Sequence, residues 1–115
     1  MNTVRVGKRH RDKTQAYLEG QGFDVAVVEF RTRRSCRDTW GADLIAKKGA
    51  RLWFIQVKAA RLNVKGGVVQ DVSLPITQFS LYNPWPRSVT LFVALCLKGK
   101  PPTLVNVTAK VRDLG

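Results

Sequence analysis

The segment DLIAKKGARLWFIQVKA, residues 43 to 59, limits what this chain can fold into more than any other stretch. Two apolar runs flank a Lys-Lys-Gly turn, which predicts an antiparallel hairpin with strands near 42–47 and 52–58. Both runs are apolar on each face, as in strands at the centre of a sheet covered by helices. Yet Asp43 opens the first strand, and Gln56 and Lys58 close the second. Burying a polar group without a partner costs several kcal/mol, so these three side chains are candidates to serve one another. A loop over Lys47–Ala50 pairs Ala46 with Arg51, Ile45 with Leu52 and Asp43 with Phe54. Side chains alternate along a strand and directly opposed residues share a face. Phe54, Gln56 and Lys58 then share the face of Asp43, with Gln56 as its diagonal neighbour at roughly 7–8 Å. An odd loop would reverse that parity. A surface hairpin with ordinary polar ends produces the same spacing, so the pattern marks a candidate site without naming a reaction.

Charge narrows the class. The 115 residues hold 20 Lys and Arg against 8 Asp and Glu, a formal net charge of +12. An excess of this size is the footprint of a polyanion partner, bound through phosphate contacts and counterion release. Arg31, Arg33, Arg34 and Arg37 precede the hairpin, and Lys58, Arg61 and Lys65 follow it, so both basic clusters flank the candidate site. Each cluster alone also reads as a solvated charge run, and a ribosomal or membrane-surface protein shares the composition. The length suits one domain with a single modest core. No apolar run approaches the roughly 20 residues of a bilayer span, and the basic start MNTVRVGKRHRDK lacks the apolar segment of a secretory signal. These features lead us to expect a cytoplasmic protein. Cys36 and Cys96 have no metal-type spacing and His10 stands alone, which argues for reduced thiols and against a zinc site.

Along the chain, Lys8 to Glu19 reads as a helix stopped by Gly20 and Gly22. FDVAVVEFR is a β-branched strand ahead of the arginine-rich loop. NVKGGVVQDVS, after the hairpin, is rich in turn residues and suggests a small flap. PITQFSLY starts a short helix with Pro75 at its first position, and NPWP ends it. SVTLFVALCL and TLVNVT are the last two strands. The order is helix, three strands, helix, strand, strand. It describes an α/β domain with a mixed central sheet flanked by helices and the hairpin at the centre.

That order resembles the PD-(D/E)XK nuclease superfamily and its restriction-endonuclease-like core. The shared features are an Asp, then a Glu or Gln-x-Lys at the end of the following strand, then helix and strand. DTWGADLIAKKGARLWFIQVKAA is most similar to the small Holliday-junction resolvases, over roughly residues 7 to 97. The resemblance implies a Mg2+-dependent DNA endonuclease, with Mn2+ as a substitute, acting on branched or four-way DNA as a homodimer. It implies Asp43 as metal anchor, and Gln56 as an uncharged oxygen ligand where the family usually has Glu. Lys58 would orient or deprotonate the attacking water. Asp12 fits the acid that the family often takes from its first helix, with Glu19 and Glu29 as alternatives and Asp38 as a supporting group. Gln78 and Tyr82 match a Gln-x-x-x-Tyr spacing that resembles a DNA-backbone contact, while packing also explains Tyr82. Trp85 reads as a core plug or dimer contact, and Trp40 as either packing or a base-stacking wedge. A less structure-selective phage or restriction-type nuclease, and a basic nucleic-acid-binding domain without catalysis, share these features.

Overall fold

The computed structural model describes residues 3–31, 36–37 and 39–115. Helix α1 (Thr3–Gly20) leads into β1 (Asp24–Val27), β2 (Phe30–Arg31) and β3 (Cys36–Arg37). The hairpin follows as β4 (Leu44–Lys48) and β5 (Arg51–Ala59), then α2 (Ser73–Ser80), β6 (Val89–Cys96), β7 (Thr103–Asn106) and α3 (Thr108–Asp113). Five strands form one sheet in the order β1-β4-β5-β6-β7, and β2 pairs with β3 in a separate ribbon. Only the β5–β6 pair of the large sheet is parallel. This is the expected mixed α/β architecture, with β5 at the sheet centre.

Both faces of the sheet are covered, which explains why the central strands lack a polar side. On one face Leu18 of α1 and Phe23 pack with Leu44, Ala46, Ile55 and Ala94. On the other, Phe79 of α2 and Val111 of α3 pack with Phe54, Leu91, Val93 and Trp85. Helix α1 closes as a Schellman motif, with Phe23 N–H on the Leu18 carbonyl and Gly22 N–H on the Glu19 carbonyl. Gly22 takes φ 92° there, the left-handed residue the motif requires. Cys96 is a free thiol on the β6 end, bonded to the Thr14 hydroxyl. Its burial raises its pKa against the opposing pull of Thr14 and Lys13, so it behaves as a small apolar side chain.

Several expected boundaries move. The hairpin pairs Ile45 with Phe54 and Lys47 with Leu52, two residues further than the four-residue loop predicts. Lys47 and Lys48 remain in β4, because the Lys48 ammonium bonds the Gln21 carbonyl and lies over the Phe23 ring. The turn is therefore Gly49–Ala50, and an even shift leaves the facing of the side chains unchanged. Helix α1 starts at Thr3 rather than Lys8, and α2 starts at Ser73, which puts Pro75 third in the helix and Tyr82 beyond its end. The strand expected over FDVAVVEFR is split into β1 and β2. Helix α3, six residues with one buried anchor at Val111, has too little periodicity to stand out in the sequence.

A second tight turn leads into β4. Thr39 and Ala42 exchange both backbone hydrogen bonds, and the two residues between them, Trp40 (φ 52°) and Gly41 (φ 81°), are left-handed. A Cβ on Gly41 would lie 3.1 Å from the Phe79 ring. We expect Gly41→Ala to lower stability by about 1–3 kcal/mol, from left-handed strain and contact with Phe79 together. Thermal unfolding should show this as a drop of roughly 5–15 °C; an unchanged melting temperature would contradict the tight fit of the turn against α2.

Candidate functional site

Strand β5 runs on past the start of β4, and the site lies where the two part. Leu44 is the first residue of β4 and stands opposite Ile55. Just before it the chain bends, with the Asp43 N–H on the Ile55 carbonyl and the Asp43 carbonyl accepting from Val28. Val57 is thus left without a β4 carbonyl to pair with. The Asp43 carboxylate takes its place, accepting the Val57 N–H at 2.8 Å. This bond sets the carboxylate against the peptide that joins Gln56 to Val57. Asp43 thus touches the end of β5 through the strand backbone, at Val57.

Gln56 and Lys58 continue the face of Phe54, towards α2. The Gln56 amide nitrogen donates to the side-chain oxygen of Gln78, in the second turn of α2. The Gln56 Oε1 is buried and has no hydrogen-bond partner, which leaves one acceptor oxygen unused. A buried unsatisfied acceptor is costly and calls for a partner. Lys58 Nζ donates to the backbone carbonyl of Asp71 at 2.8 Å. Asp71 closes the far side, its carboxylate accepting from the Ser73 hydroxyl at 2.8 Å and from the Ser73 N–H. Those two bonds hold its pKa below the usual carboxylate range, with Lys58 and Arg61 helping, and burial opposes them. Lys58, Arg61 and Asp71 line a cavity of about 250 Å³.

The acids offered for a third ligand differ in setting. Glu29 follows Val28, whose N–H bonds the Asp43 carbonyl, and its carboxylate is 3.2 Å from the Arg11 guanidinium. Both side chains of that pair are well buried, at 14% and 5% exposed. Asp12 is half-exposed and ion-paired to Lys8 at 2.8 Å and to Arg11 at 3.7 Å. Glu19 is exposed near the end of α1. Among the described residues no group of three His, Cys, Asp or Glu is placed to hold a metal ion. A hard cation such as Mg2+ needs one or two protein oxygens and keeps several waters, and the Asp43 carboxylate and the Gln56 Oε1 are oxygens of that kind. The unused buried Gln56 oxygen is the feature that fits such a group.

The described basic residues fall in several elements of the fold. Arg31 and Arg37 belong to the β2–β3 ribbon, where Phe30 faces Arg37 and Arg31 faces Cys36. Arg33, Arg34 and Asp38 lie outside the described residues. Arg61 and Lys65 are exposed on the expected flap, which the Leu62–Val68 bridge and the Asn63 and Val69 backbone bonds close. Other cations are tied to backbone carbonyls, Lys13 to Leu97 and Arg112 to Pro86 and Val89. Gln78 faces inward to Gln56, whereas Tyr82 is exposed past the helix. Trp85 is buried, donates to the Phe79 carbonyl and is a core plug.

Two participants escaped the sequence reading. Asp71 was legible in principle, since Asp-x-Ser ahead of a helix is the signature of an Asx turn. Arg11 falls on the inward stripe of α1 with Thr14 and Leu18, and a cation on such a stripe requires a buried acid.

No family model matches the chain. It is similar to a UPF0102 protein of Desulforapulum autotrophicum, with 37% identity over 70 residues. The match covers 61% of this chain and 54% of the relative, so the chain spans about half the length of the curated protein it matches.

The Asp43 contact separates its two substitutions. Asp43→Asn keeps an oxygen for the Val57 N–H and should melt close to the parent. Asp43→Ala leaves that donor without its acceptor and should cost about 1–3 kcal/mol in denaturant unfolding. Equal stability of the two variants would show that the bond is not needed at the fork. The Asp71 carboxyl should titrate below the ordinary Asp range in a proton-detected pH series. Its folded pKa is the lowered one, so its support of the α2 start is present above the unfolded value and lost as pH falls through the folded value. Titration at the ordinary value would remove Asp71 from the network.

Proposed function

We propose that this chain is a PD-(D/E)XK-type, Mg2+-dependent DNA endonuclease acting on branched DNA, with Asp43, Gln56 and Lys58 as its working residues. The observation that carries the reading is the fork itself. One carboxylate is fixed against the Gln56–Val57 peptide, Gln56 itself carries an unpartnered amide oxygen, and an ammonium group follows two residues further on the same strand. The mixed sheet with helices on both faces is compatible with a nuclease core of this kind. Similarity to the UPF0102 protein is compatible with it too and does not specify a substrate.

In this reading Asp43 and Gln56 hold the cation through oxygen. Once bound, the cation would lower the pKa of a coordinated water and polarise the phosphate. The rest of the work falls to the chain. Lys58 leaves the Asp71 carbonyl to hold the attacking water against the phosphorus and to offset charge as it builds on the phosphate oxygens. Gln78 orients the Gln56 amide so that its oxygen, and not its nitrogen, faces the cation. Asp12, with Glu19 and Glu29 as alternatives, is the acid proposed to support the ligand set. Arg31, Arg33, Arg34, Arg37, Arg61, Lys65 and Tyr82 are the residues proposed to hold the DNA backbone. A homodimer would present two such sites to the two equivalent strands of a junction, and a cytoplasmic setting suits that substrate.

A second reading has its own support. Gln replaces the usual acid at position 56, and among the described residues no acidic triad stands ready for a metal. Both features suit a basic DNA-binding domain that lacks catalysis.

Cleavage of a labelled four-way junction beside a linear duplex, with Mg2+ titrated, separates the readings. We expect junction cleavage that Asp43→Asn abolishes while DNA binding persists. Lys58→Ala should lose roughly 10²-fold or more and recover in part at high pH, where hydroxide replaces the activated water. Gln56→Glu should keep cleavage, since an oxygen stays in place. Gln56→Ala should lose most of it, with partial rescue at raised Mg2+. Full cleavage by Asp43→Asn would remove this fork as the active site. Binding without cleavage by the parent at any Mg2+ would establish the non-catalytic reading.

A further inference from the structure

The turn that delivers Asp43 also displays an indole. Trp40 and Gly41 form a two-residue turn in which both residues are left-handed. Asn, Asp and Gly are the residues that suit its first position, and a bulky aromatic side chain is strained there. Turn formation therefore does not explain a tryptophan. Core packing explains only half of it. One side of the ring stacks on Phe54 at 5.8 Å and 26°, but the residue remains 52% exposed. Trp85, by contrast, is sunk into the core and meets Phe54 edge-on.

Beside Trp40 lies a cleft of about 220 Å³ bordered by Phe54, Tyr82, Trp85, Pro86 and Val89. That is below the roughly 300–1,000 Å³ of a pocket for a drug-sized ligand, and its walls are aromatic and aliphatic. Tyr82 stands exposed at the rim, while Phe54 belongs to the strand face that carries Gln56. Trp40 is three residues before Asp43. The chain carries a net charge of +12, so a polyanion is the partner whose charge complements this surface.

We infer that Trp40, with Phe54 behind it and Tyr82 at the rim, is a stacking slot for one unpaired nucleobase next to the Asp43 fork. The inference rests on the nuclease reading for its substrate, and it narrows that substrate to DNA with a base out of the helical stack. Every base has a flat face, so stacking is tolerant of sequence and selects for an accessible base. Bases inside a continuous duplex are sandwiched by their neighbours and do not reach the slot. Branch points, bulges and flaps offer one.

The test is equilibrium binding at fixed salt with metal chelated, so that no cleavage is needed. The probes are a fluorescein-labelled linear duplex and the same duplex carrying one central unpaired thymine. Trp40→Ala should bind the bulged duplex roughly tenfold more weakly and the linear duplex as the parent does. Trp40→Phe keeps an aromatic face and should keep the preference. The bulged duplex should quench indole emission in the parent, with the quench lost in Trp40→Phe. Melting temperatures show whether either variant is folded, and Trp40→Phe keeps the test open if Trp40→Ala is not. Equal loss on both duplexes, or no loss on either, would overturn the slot. So would a change of oligomeric state in Trp40→Ala without selective loss, which would make this patch a self-association surface. Selective binding by a parent that never cleaves would sink the nuclease reading alone. Cleavage by a parent whose Trp40→Ala variant keeps the bulge preference would sink the slot alone.

Discussion

Where β4 bends away from β5, the Val57 N–H loses the carbonyl that a longer neighbour would have supplied, and the Asp43 carboxylate accepts it. Much of the molecule is arranged around that substitution. It lets β5 extend to Ala59 beside β6 while β1 and β4 diverge from it, so a polar notch opens at the centre of a sheet covered on both faces. The same bond fixes the position of the carboxylate without burying it in apolar surroundings. Under the proposed nuclease reading one residue would both close the strand end and hold the cation, and an amide at position 43 would preserve the first role and not the second.

The notch is enclosed by elements that need not have been near it in sequence. Gln78 comes from α2, Asp71 from the flap that precedes it, and Glu29 and Arg11 from the other side of the sheet. Polar groups in this region are mostly engaged, which suits a low-dielectric setting where unpaired ones are costly. Among the described residues around the notch, the Gln56 Oε1 and the Arg11 Nε are buried without a hydrogen-bond partner. Part of the basic excess is also structural, since Lys13, Lys48, Lys58 and Arg112 bond backbone carbonyls rather than project freely.

The hairpin, the helix stop at Gly22 and the central place of β5 were legible because each rests on local pattern: apolar runs, a left-handed glycine, and strands without a polar face. Facing survived a two-residue error in register because side-chain alternation has a period of two. What the pattern did not disclose depends on contacts distant in the chain. Lys48 extends β4 through Gln21 and Phe23, and Gln56 meets Gln78 rather than Asp43 directly. Tyr82 shares no helix face with Gln78 because α2 ends first, under a tight connection into the Trp85 core plug. Asp12 is ion-paired to Lys8 and Arg11 on α1, and the i,i+4 spacing of Lys8 and Asp12 was legible in the sequence.

The parallel pairing of β5 with β6 obliges the chain to return across the sheet through residues 60–88, since parallel neighbours cannot be joined by a tight turn. That return path carries both the flap and α2; α2 is anchored in the core through Phe79 and Pro75, and the flap joins the core at its end through Val72 while residues 63–67 are exposed. Loop closure becomes costlier only slowly as a connection lengthens. The flap is therefore a segment whose length and composition can drift with little penalty to the sheet, while Asp43, Gln56 and Lys58 stay in register. Changes in the exposed tip of this arch can thus accumulate in descendants of such a chain while the strand fork is inherited unchanged.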